Sequence, residues 1–233
     1  MSAAVERPRI QLRGLSARGR VRGAVLALAG ASPAELQRAS ALGAHLADSC
    51  LLVAVDGGLD TCRRGRKRPD LFVGDGDSAS RVPSTIPSIV FERDKDFSDL
   101  AGALQEMRRR SVKLLVLAGF LGGRVDHEWS NLFEMAQASR WFVGMLAPTD
   151  RGTLLITSRG CRAVTVRNRT VSLMALGAGA TVTLRGTRWT LRRKRIRPGS
   201  LGLSNRTGRD LDLTVHSGAV ALVFPPDARS RAR

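Results

Sequence analysis

The sequence predicts a mostly parallel α/β sheet domain followed by an all-β sandwich. Over residues 21–147, apolar strand-like runs alternate with helical stretches, the pattern of strands joined by helical crossovers. After Pro148 the runs become short, β-branched or alternating, and are broken by Gly, Ser, Asn and Arg. With 233 residues and 43% hydrophobic content, the chain can bury one substantial core or two modest ones without disulfides.

The first strand is the apolar run Val21–Ala29, closed by Gly30. Ser32 is placed to cap a helix that has Pro33 in its first position and continues from Ala34 to Leu46. The run Leu51–Val55 stops at Asp56-Gly57-Gly58, and the short run Leu71–Val73 stops at Gly74-Asp75. A helix from about Ser98 to Arg110 leads into the strand Val112–Leu117, halted by Gly119 and then Gly122-Gly123. Helical spacing resumes beyond Asp126 as far as Ser139, and Trp141–Leu146 reads as another strand. The later runs are Leu154–Thr157, Cys161–Val166, Thr170–Leu176, Ala180–Arg185, Leu211–His216 and Ala219–Phe224. The expected organisation is a mobile basic arm over 1–22, an α/β catalytic domain over 23–148, a β-sandwich over 149–224 and a tail over 225–233. A transit peptide is the lesser reading of the Arg-rich opening.

Composition narrows the function. The formal net charge of +18 suggests a polyanion partner, but the basic residues are spread along the chain, with local runs only at 63–68, 108–110 and 192–197. Tyr is absent and aromatics are 4% of residues, which leaves few surfaces for stacking bases, so nucleic acid is not the expected partner. Cys50, Cys62 and Cys161 form no paired framework and no metal-binding spacing, as expected of a cytoplasmic protein. No apolar run approaches the roughly 20 residues that span a bilayer.

Against that positive background, carboxylates gather in three places: Gly74-Asp75-Gly76-Asp77-Ser78, Asp94-Lys95-Asp96-Phe97-Ser98-Asp99 and Gly122-Gly123-Arg124-Val125-Asp126-His127. Asp75 and Asp77 on a loop turned by Gly76 can converge as hard oxygen ligands for Mg²⁺, although such stretches are also common in plain surface turns. Asp99 opens a helix and can turn its carboxylate back towards them, whereas Asp96 and Ser98 are equally placed to cap that helix. Gly122 and Gly123 offer loop amides, and Arg124 offers a planar guanidinium suited to phosphate oxygens. His127 is read as orienting Asp126, while His45 and His216 are isolated packing or surface residues. Asp56, Asp75, Asp77 and the Gly122-Gly123 turn each follow an apolar run, and open α/β sheets bind ligands beyond the carboxyl ends of their strands. Acids for a cation beside Arg and amides for phosphates match phosphoryl or nucleotidyl transfer. The glycine-rich signatures of P-loop and dinucleotide-binding proteins and the serine-hydrolase elbow are absent from the sequence.

Taken in order, Val55-Asp56-Gly57-Gly58, the three acidic segments, Asn131, Gly186-Thr187-Arg188-Trp189-Thr190-Leu191 and Ser204-Asn205 resemble the thiamine pyrophosphokinase family over roughly residues 23–224. The resemblance implies transfer of diphosphate from ATP to the hydroxyl of thiamine, giving thiamine diphosphate and AMP, with Mg²⁺ as cofactor. It also implies a homodimer whose active sites lie between subunits. By motif, Asp75, Asp77 and Asp99 would hold the metal and join Arg124 and Asp126 in catalysis. Asp56, Gly57, Gly58, Asp96, Gly122, Gly123, His127 and Asn131 would line the ATP and phosphate pocket, and Trp189, Ser204 and Asn205 would bind thiamine. Trp189 could offer an aromatic face to the cationic thiazolium, or simply fill a core poor in aromatics. Gly76 stands where the family has a bulkier residue and Ser98 where it has Thr, and neither change removes a carboxylate. Two other readings stay open: a related diphosphotransferase acting on another heterocyclic alcohol such as a pterin, and a catalytically weak protein whose basic surface binds nucleic acid or an acidic partner.

Overall fold

Strand β2 (Arg22–Ala27) is buried on both faces, which explains why it reads as an unbroken apolar run. Ala24 and Leu26 face one core, and Val25 and Ala27 face the other. The computed structural model describes residues 8–15, 21–77 and 82–226. After β2 come α1 (Pro33–Leu46), β3 (Ser49–Val55), α2 (Gly58–Arg64), β4 (Leu71–Gly74), β5 (Ser88–Val90), α3 (Asp99–Arg109), β6 (Leu114–Ala118), α4 (Val125–Ala138) and β7 (Gly144–Thr149). Ser32 caps α1 by accepting from the Glu35 amide at 3.1 Å, with Pro33 in the first turn, as the sequence predicts. The short β5 and α2 have no distinct apolar signature and were not foreseen.

β2 to β7 pair in parallel in the order β7-β6-β2-β3-β4-β5. The chain therefore reverses its direction of travel across the sheet between β2 and β6, and a crevice opens beyond their carboxyl ends. α1 and α2 cover one face through Leu36, Ala39, Leu59 and Cys62. α3 and α4 cover the other through Leu100, Leu104, Met107 and Met135.

No linker separates the two halves. β7 turns directly into β8 (Gly152–Thr157) as an antiparallel pair, Thr149 facing Gly152, so the sheet continues across the expected boundary. β9 (Gly160–Val164), β10 (Thr170–Thr187), β11 (Leu191–Ile196) and β12 (Asn205–Phe224) follow. β10 and β12 each merge two of the short runs read from the sequence into one long, bent strand. Their partner numbers run in opposite order, from Ser172 with Val223 to Leu176 with Ala219, then from Val182 with Val215 to Arg185 with Asp212. At the bend between these stretches the backbones touch, and a Cβ on Gly218 would lie 2.2 Å from the Gly179 carbonyl oxygen. Folding the strands there encloses a second core of Leu173, Val182, Leu184, Leu213 and Leu222.

The expected mobile arm needs correction. Arg9–Leu12 form strand β1, which pairs antiparallel with β9 from Arg9–Val164 to Leu12–Cys161. Leu12 is buried in the second core with Ile10 packed against it, an alternation hidden among the surrounding arginines. The rest of the arm's first seven residues, residues 16–20, Ser78 and residues 227–233 of the tail lie outside the described part. The Arg-rich run near 192–197 is the edge strand β11, which pairs with β10 and exposes Arg192, Arg193, Lys194 and Arg195. Like charge along a free edge opposes pairing with a second molecule. The three cysteines are free thiols, and among the described residues no helix is long and apolar enough to cross a membrane.

Candidate active site

The turn after β3 is forced by close packing. A Cβ on Gly58 would lie 1.8 Å from the Ala27 carbonyl oxygen, so only glycine lets α2 start against the end of β2. Asp56 precedes it with φ +45° and donates its amide to the Val73 carbonyl at 2.9 Å. That bond ties the end of β3 to β4 and points Asp56 at the loop leaving β4. There Asp75 accepts from the Asp77 amide at 3.1 Å, across Gly76 in a left-handed conformation. Asp99 is the first residue of α3, whose cap is Ser98, accepting from the Ala101 amide at 3.0 Å.

Asp56, Asp75 and Asp99 thereby converge, each offering an oxygen within 4.8 Å of the others. Lys95 sits among them, its Nζ 2.6 Å from Asp75 Oδ2 and 3.3 Å from Asp99 Oδ1, with 10% of its side chain exposed. The Lys95 hydrogen bond holds the Asp75 carboxyl below its ordinary range, and the same contact raises the Lys95 ammonium. Burial, and then the charge of Asp75, pushes Asp99 upwards. Asp56 Oδ1 is buried with no hydrogen-bond partner. An orphaned carboxylate oxygen beside two more hard oxygen donors fits Mg²⁺, which takes one or two carboxylates and completes its shell with water and phosphate.

This set differs from the one read from the sequence. Asp56, expected at the pocket edge, is in the carboxylate group; Asp77, expected as a ligand, is exposed outside it and contacts Asp75 through its backbone. Asp96 is exposed too, and Ser98 resolves the choice between capping and ligation by capping. Ser98 Oγ also donates to Glu134 Oε1 at 2.7 Å, which fastens α4 to the start of α3. Burial raises Glu134 above the ordinary carboxylate range. Sequence reasoning named neither Lys95 nor Glu134 as a site residue. Lys95 lies inside the acidic segment and was legible there as the single cation among three acids; Glu134 has no such signal.

The second wall is the loop between β6 and α4. Gly119 donates its amide to Glu35 Oε1 at 3.0 Å, and a Cβ on it would be 2.5 Å from the Ala31 amide, so this loop and the one after β2 are pressed together. Gly122 and Gly123 are exposed with open space around them, and the Gly122 amide donates to Glu128. Arg124 forms a two-point ion pair with Asp126, at 3.2 and 2.6 Å, on the exposed start of α4. That pairing holds Asp126 below its ordinary range. His127 is exposed and Asn131 half-buried on the same helix.

The remaining expected residues lie elsewhere. Trp189, 54% exposed, carries the Arg188 guanidinium 5.3 Å from its ring centre. Asn205 is 2% exposed, and its amide is spent inward: Oδ1 accepts from the Trp189 and Arg206 amides, and Nδ2 donates to the Trp189 carbonyl at 2.8 Å. It positions the Trp189 backbone. Ser204 is exposed in a left-handed conformation, its amide bonded to Ser172 Oγ at 3.0 Å. Nearby, a hollow of about 540 Å³ is lined by Arg167, Arg188, Arg206 and Arg209. The sheet path from β12 to β4 runs through β8, β7, β6, β2 and β3. At about 4.8 Å per strand step, β12, which Asn205 opens, is on the order of 30 Å across the sheet from β4.

Two family profiles match the chain: "Thiamin pyrophosphokinase, catalytic domain" over residues 43–143 and "Thiamin pyrophosphokinase, vitamin B1 binding domain" over residues 161–220. No curated protein sequence matches it. Among solved structures, the thiamine pyrophosphokinase of Bacillus subtilis is similar with a TM-score of 0.70 at 18% identity, covering 88% of this chain and 99% of that one. That of Geobacillus thermodenitrificans gives 0.67 at 19%, covering 89% and 98%. That of Candida albicans gives 0.63 at 13%, covering 96% and 100%. At these identities the structures speak for a shared fold, and the two profiles speak for the family.

Proposed function

The chain belongs to the thiamin pyrophosphokinase family, and we propose that the cleft between Asp56, Asp75 and Asp99 is where it transfers diphosphate from ATP to thiamine. The observation that carries this reading is the convergence of three carboxylates, two of them (Asp56 and Asp99) with a buried oxygen that has no hydrogen-bond partner, beside the crevice where the sheet reverses. In the reaction the thiamine hydroxyl loses its proton and its oxygen bonds to the β-phosphorus, while the bond from that phosphorus to the oxygen of AMP breaks. Such transfer depends mostly on positioning and charge stabilisation.

Asp56, Asp75 and Asp99 would hold Mg²⁺, with Asp77 at the mouth. Bound there with ATP, Mg²⁺ supplies neutralisation of the triphosphate. The amide of Gly123, and that of Gly122 once it leaves Glu128, suit phosphate oxygens. Arg124 can leave Asp126 for a phosphate at little cost, because both members of a pair this exposed are well solvated without each other. Asn205 holds the Trp189 backbone so that the exposed indole can meet the thiazolium.

The same geometry supports reading the protein as a homodimer with shared sites. Trp189 and Ser204 adjoin the start of β12, six strand steps from β4, and lie next to arginines, which repel cationic thiamine. A second copy bringing its carboxylates to Trp189 supplies the missing half. Val125, Trp129 and Phe133, exposed along one face of α4 beside the Gly122–Asp126 loop, offer apolar surface for that contact.

The activity is tested by incubating pure protein with ATP, Mg²⁺ and thiamine and following AMP together with thiamine diphosphate. Release of ADP, or no turnover, would overturn the assignment. Site sharing is tested by mixing inactive Asp99→Asn and Trp189→Ala chains after partial unfolding and reassociation. Random dimers regain about a quarter of wild-type activity if the sites are shared; a mixture that stays inactive excludes sharing. The match to a vitamin B1 binding domain favours thiamine over a pterin or another heterocyclic alcohol.

A further inference from the structure

We propose that Lys95 is a built-in placeholder for the divalent cation, holding the carboxylates together without metal and moving to the nucleotide phosphates once metal is seated. This rests on reading the Asp56, Asp75 and Asp99 cleft as the metal site.

Three features of the cleft carry the proposal. First, Lys95 occupies the oxygens a metal needs. Asp75 has one oxygen engaged by the Asp77 amide at 3.1 Å, and the other, Oδ2, is the one Lys95 holds at 2.6 Å. The buried oxygen of Asp99 faces the same ammonium at 3.3 Å. Second, the ammonium is an incomplete substitute. Its ion pairs reach Asp75 and Asp99 but not Asp56, whose Oδ1 stays buried without a hydrogen-bond partner although the three acids lie within 4.8 Å of one another. A metal ion with six ligand positions can engage all three, whereas an ammonium has three donors and one charge. Third, three carboxylates against one ammonium leave a net charge of −2 in the cleft, so a divalent ion is drawn in even while Lys95 is present.

Lys95 lies on the loop before α3, and its flexible four-carbon stem can swing without moving the helix. Once displaced, its ammonium stays near the cleft mouth, where the triphosphate supplies new oxygens. The device keeps a −3 cluster from standing empty and makes metal binding weak until nucleotide arrives to receive the displaced charge.

The test is Mn²⁺ binding, followed by electron paramagnetic resonance, to the full-length protein and its Lys95→Met variant, with and without a non-hydrolysable ATP analogue. Without nucleotide, Lys95→Met should bind Mn²⁺ about tenfold more tightly, because the competing cation is gone. With the analogue, the variant should hold the metal–nucleotide pair several-fold more weakly, because the phosphates have lost their ammonium. A merely structural lysine would not give opposite signs in the two measurements. Lys95→Arg, which keeps the charge, should show neither change, and circular dichroism checks that each variant is folded. If Lys95→Met is unfolded without metal, Lys95→Gln takes its place in the same comparison. Equal Mn²⁺ affinity in wild type and variant, or weaker binding by the variant without nucleotide, overturns the placeholder role and leaves the metal site standing. Failure of every folded protein to bind Mn²⁺ overturns the metal site and the placeholder with it.

Discussion

Asp56→Asn should stabilise the metal-free protein while removing much of its response to Mg²⁺. The Asp56 oxygen lies within 4.8 Å of two other carboxylates, and at that distance each like-charge pair costs about 3.5 kcal/mol with an effective dielectric of 20. Attraction to nearby Lys95 offsets roughly one of those pairs, and partial exposure reduces the remainder to about 1–2 kcal/mol. The backbone works in the same direction, since φ is +45° and Asn is well tolerated in the left-handed region. The Asn amide can also donate to Asp75 or Asp99. For a chain of this length, that gain is a melting temperature about 3–6 °C higher. The assay is thermal unfolding in EDTA and across a Mg²⁺ titration. Wild type should overtake the variant as Mg²⁺ rises, since a ligand at 100 times its Kd contributes about 2.7 kcal/mol. A variant that melts below wild type in EDTA, or curves that rise in parallel with Mg²⁺, would refute the placement of Asp56 in a repulsive, metal-seeking group.

Gly58→Ala should cost about 3 kcal/mol in urea unfolding, because its Cβ would meet the Ala27 backbone at 1.8 Å and neither chain segment can yield cheaply; a loss below about 1 kcal/mol would mean the α2 turn is adjustable. Burial raises the Glu35 carboxyl, with Asp150 adding to the rise and Arg38 and the Gly119 amide opposing it. A raised acid favours folding at low pH, and that contribution is lost as pH climbs from its unfolded value near 4.5 through its folded one. Glu35→Gln should therefore gain on wild type between pH 4 and pH 7 in urea midpoints, and a gap independent of pH would argue against the buried charge. Asn205→Ala takes the side-chain acceptor from the Trp189 amide and leaves the Trp189 carbonyl with Thr187 Oγ alone. It should cost about 1–3 kcal/mol and raise KM for thiamine more than KM for ATP, so equal effects on both would separate Asn205 from the thiamine side.

The parallel strands other than β5, and α1, were legible because their signals are local: an apolar run ending near a glycine, or a Ser-Pro start to a helix. β1 was not, because Ile10 and Leu12 make too short an alternation to stand out among arginines until β9 is there to pair with them. The bends in β10 and β12 were read as strand ends, since a glycine pressed against another backbone looks in sequence like one in a turn. Within the cleft, motif spacing pointed to Asp75 and Asp99. It could not rank Asp56 above Asp77, because that depends on a left-handed residue tied to the neighbouring strand by the Val73 carbonyl. Trp189 and Asn205 were recognisable as a pair, but which of the two faces solvent is settled by burial, and motif order holds no information about burial.

The pairing of β1 with β9, and of Arg13 with Asp212 and the Leu213 carbonyl 200 residues further on, orders the protein's assembly during its synthesis. β1 leaves the ribosome well before β9 and has no strand partner until β9 has been made, on the order of 10–30 s later at ordinary elongation rates. Throughout that interval residues 9–12 wait as an unpaired segment while the parallel sheet, whose contacts are nearer in sequence, can form without them. The seam between β1 and β9 therefore closes across a long stretch of chain, and an extension fused ahead of β1 would interfere with that seam before it touched the carboxylate cleft.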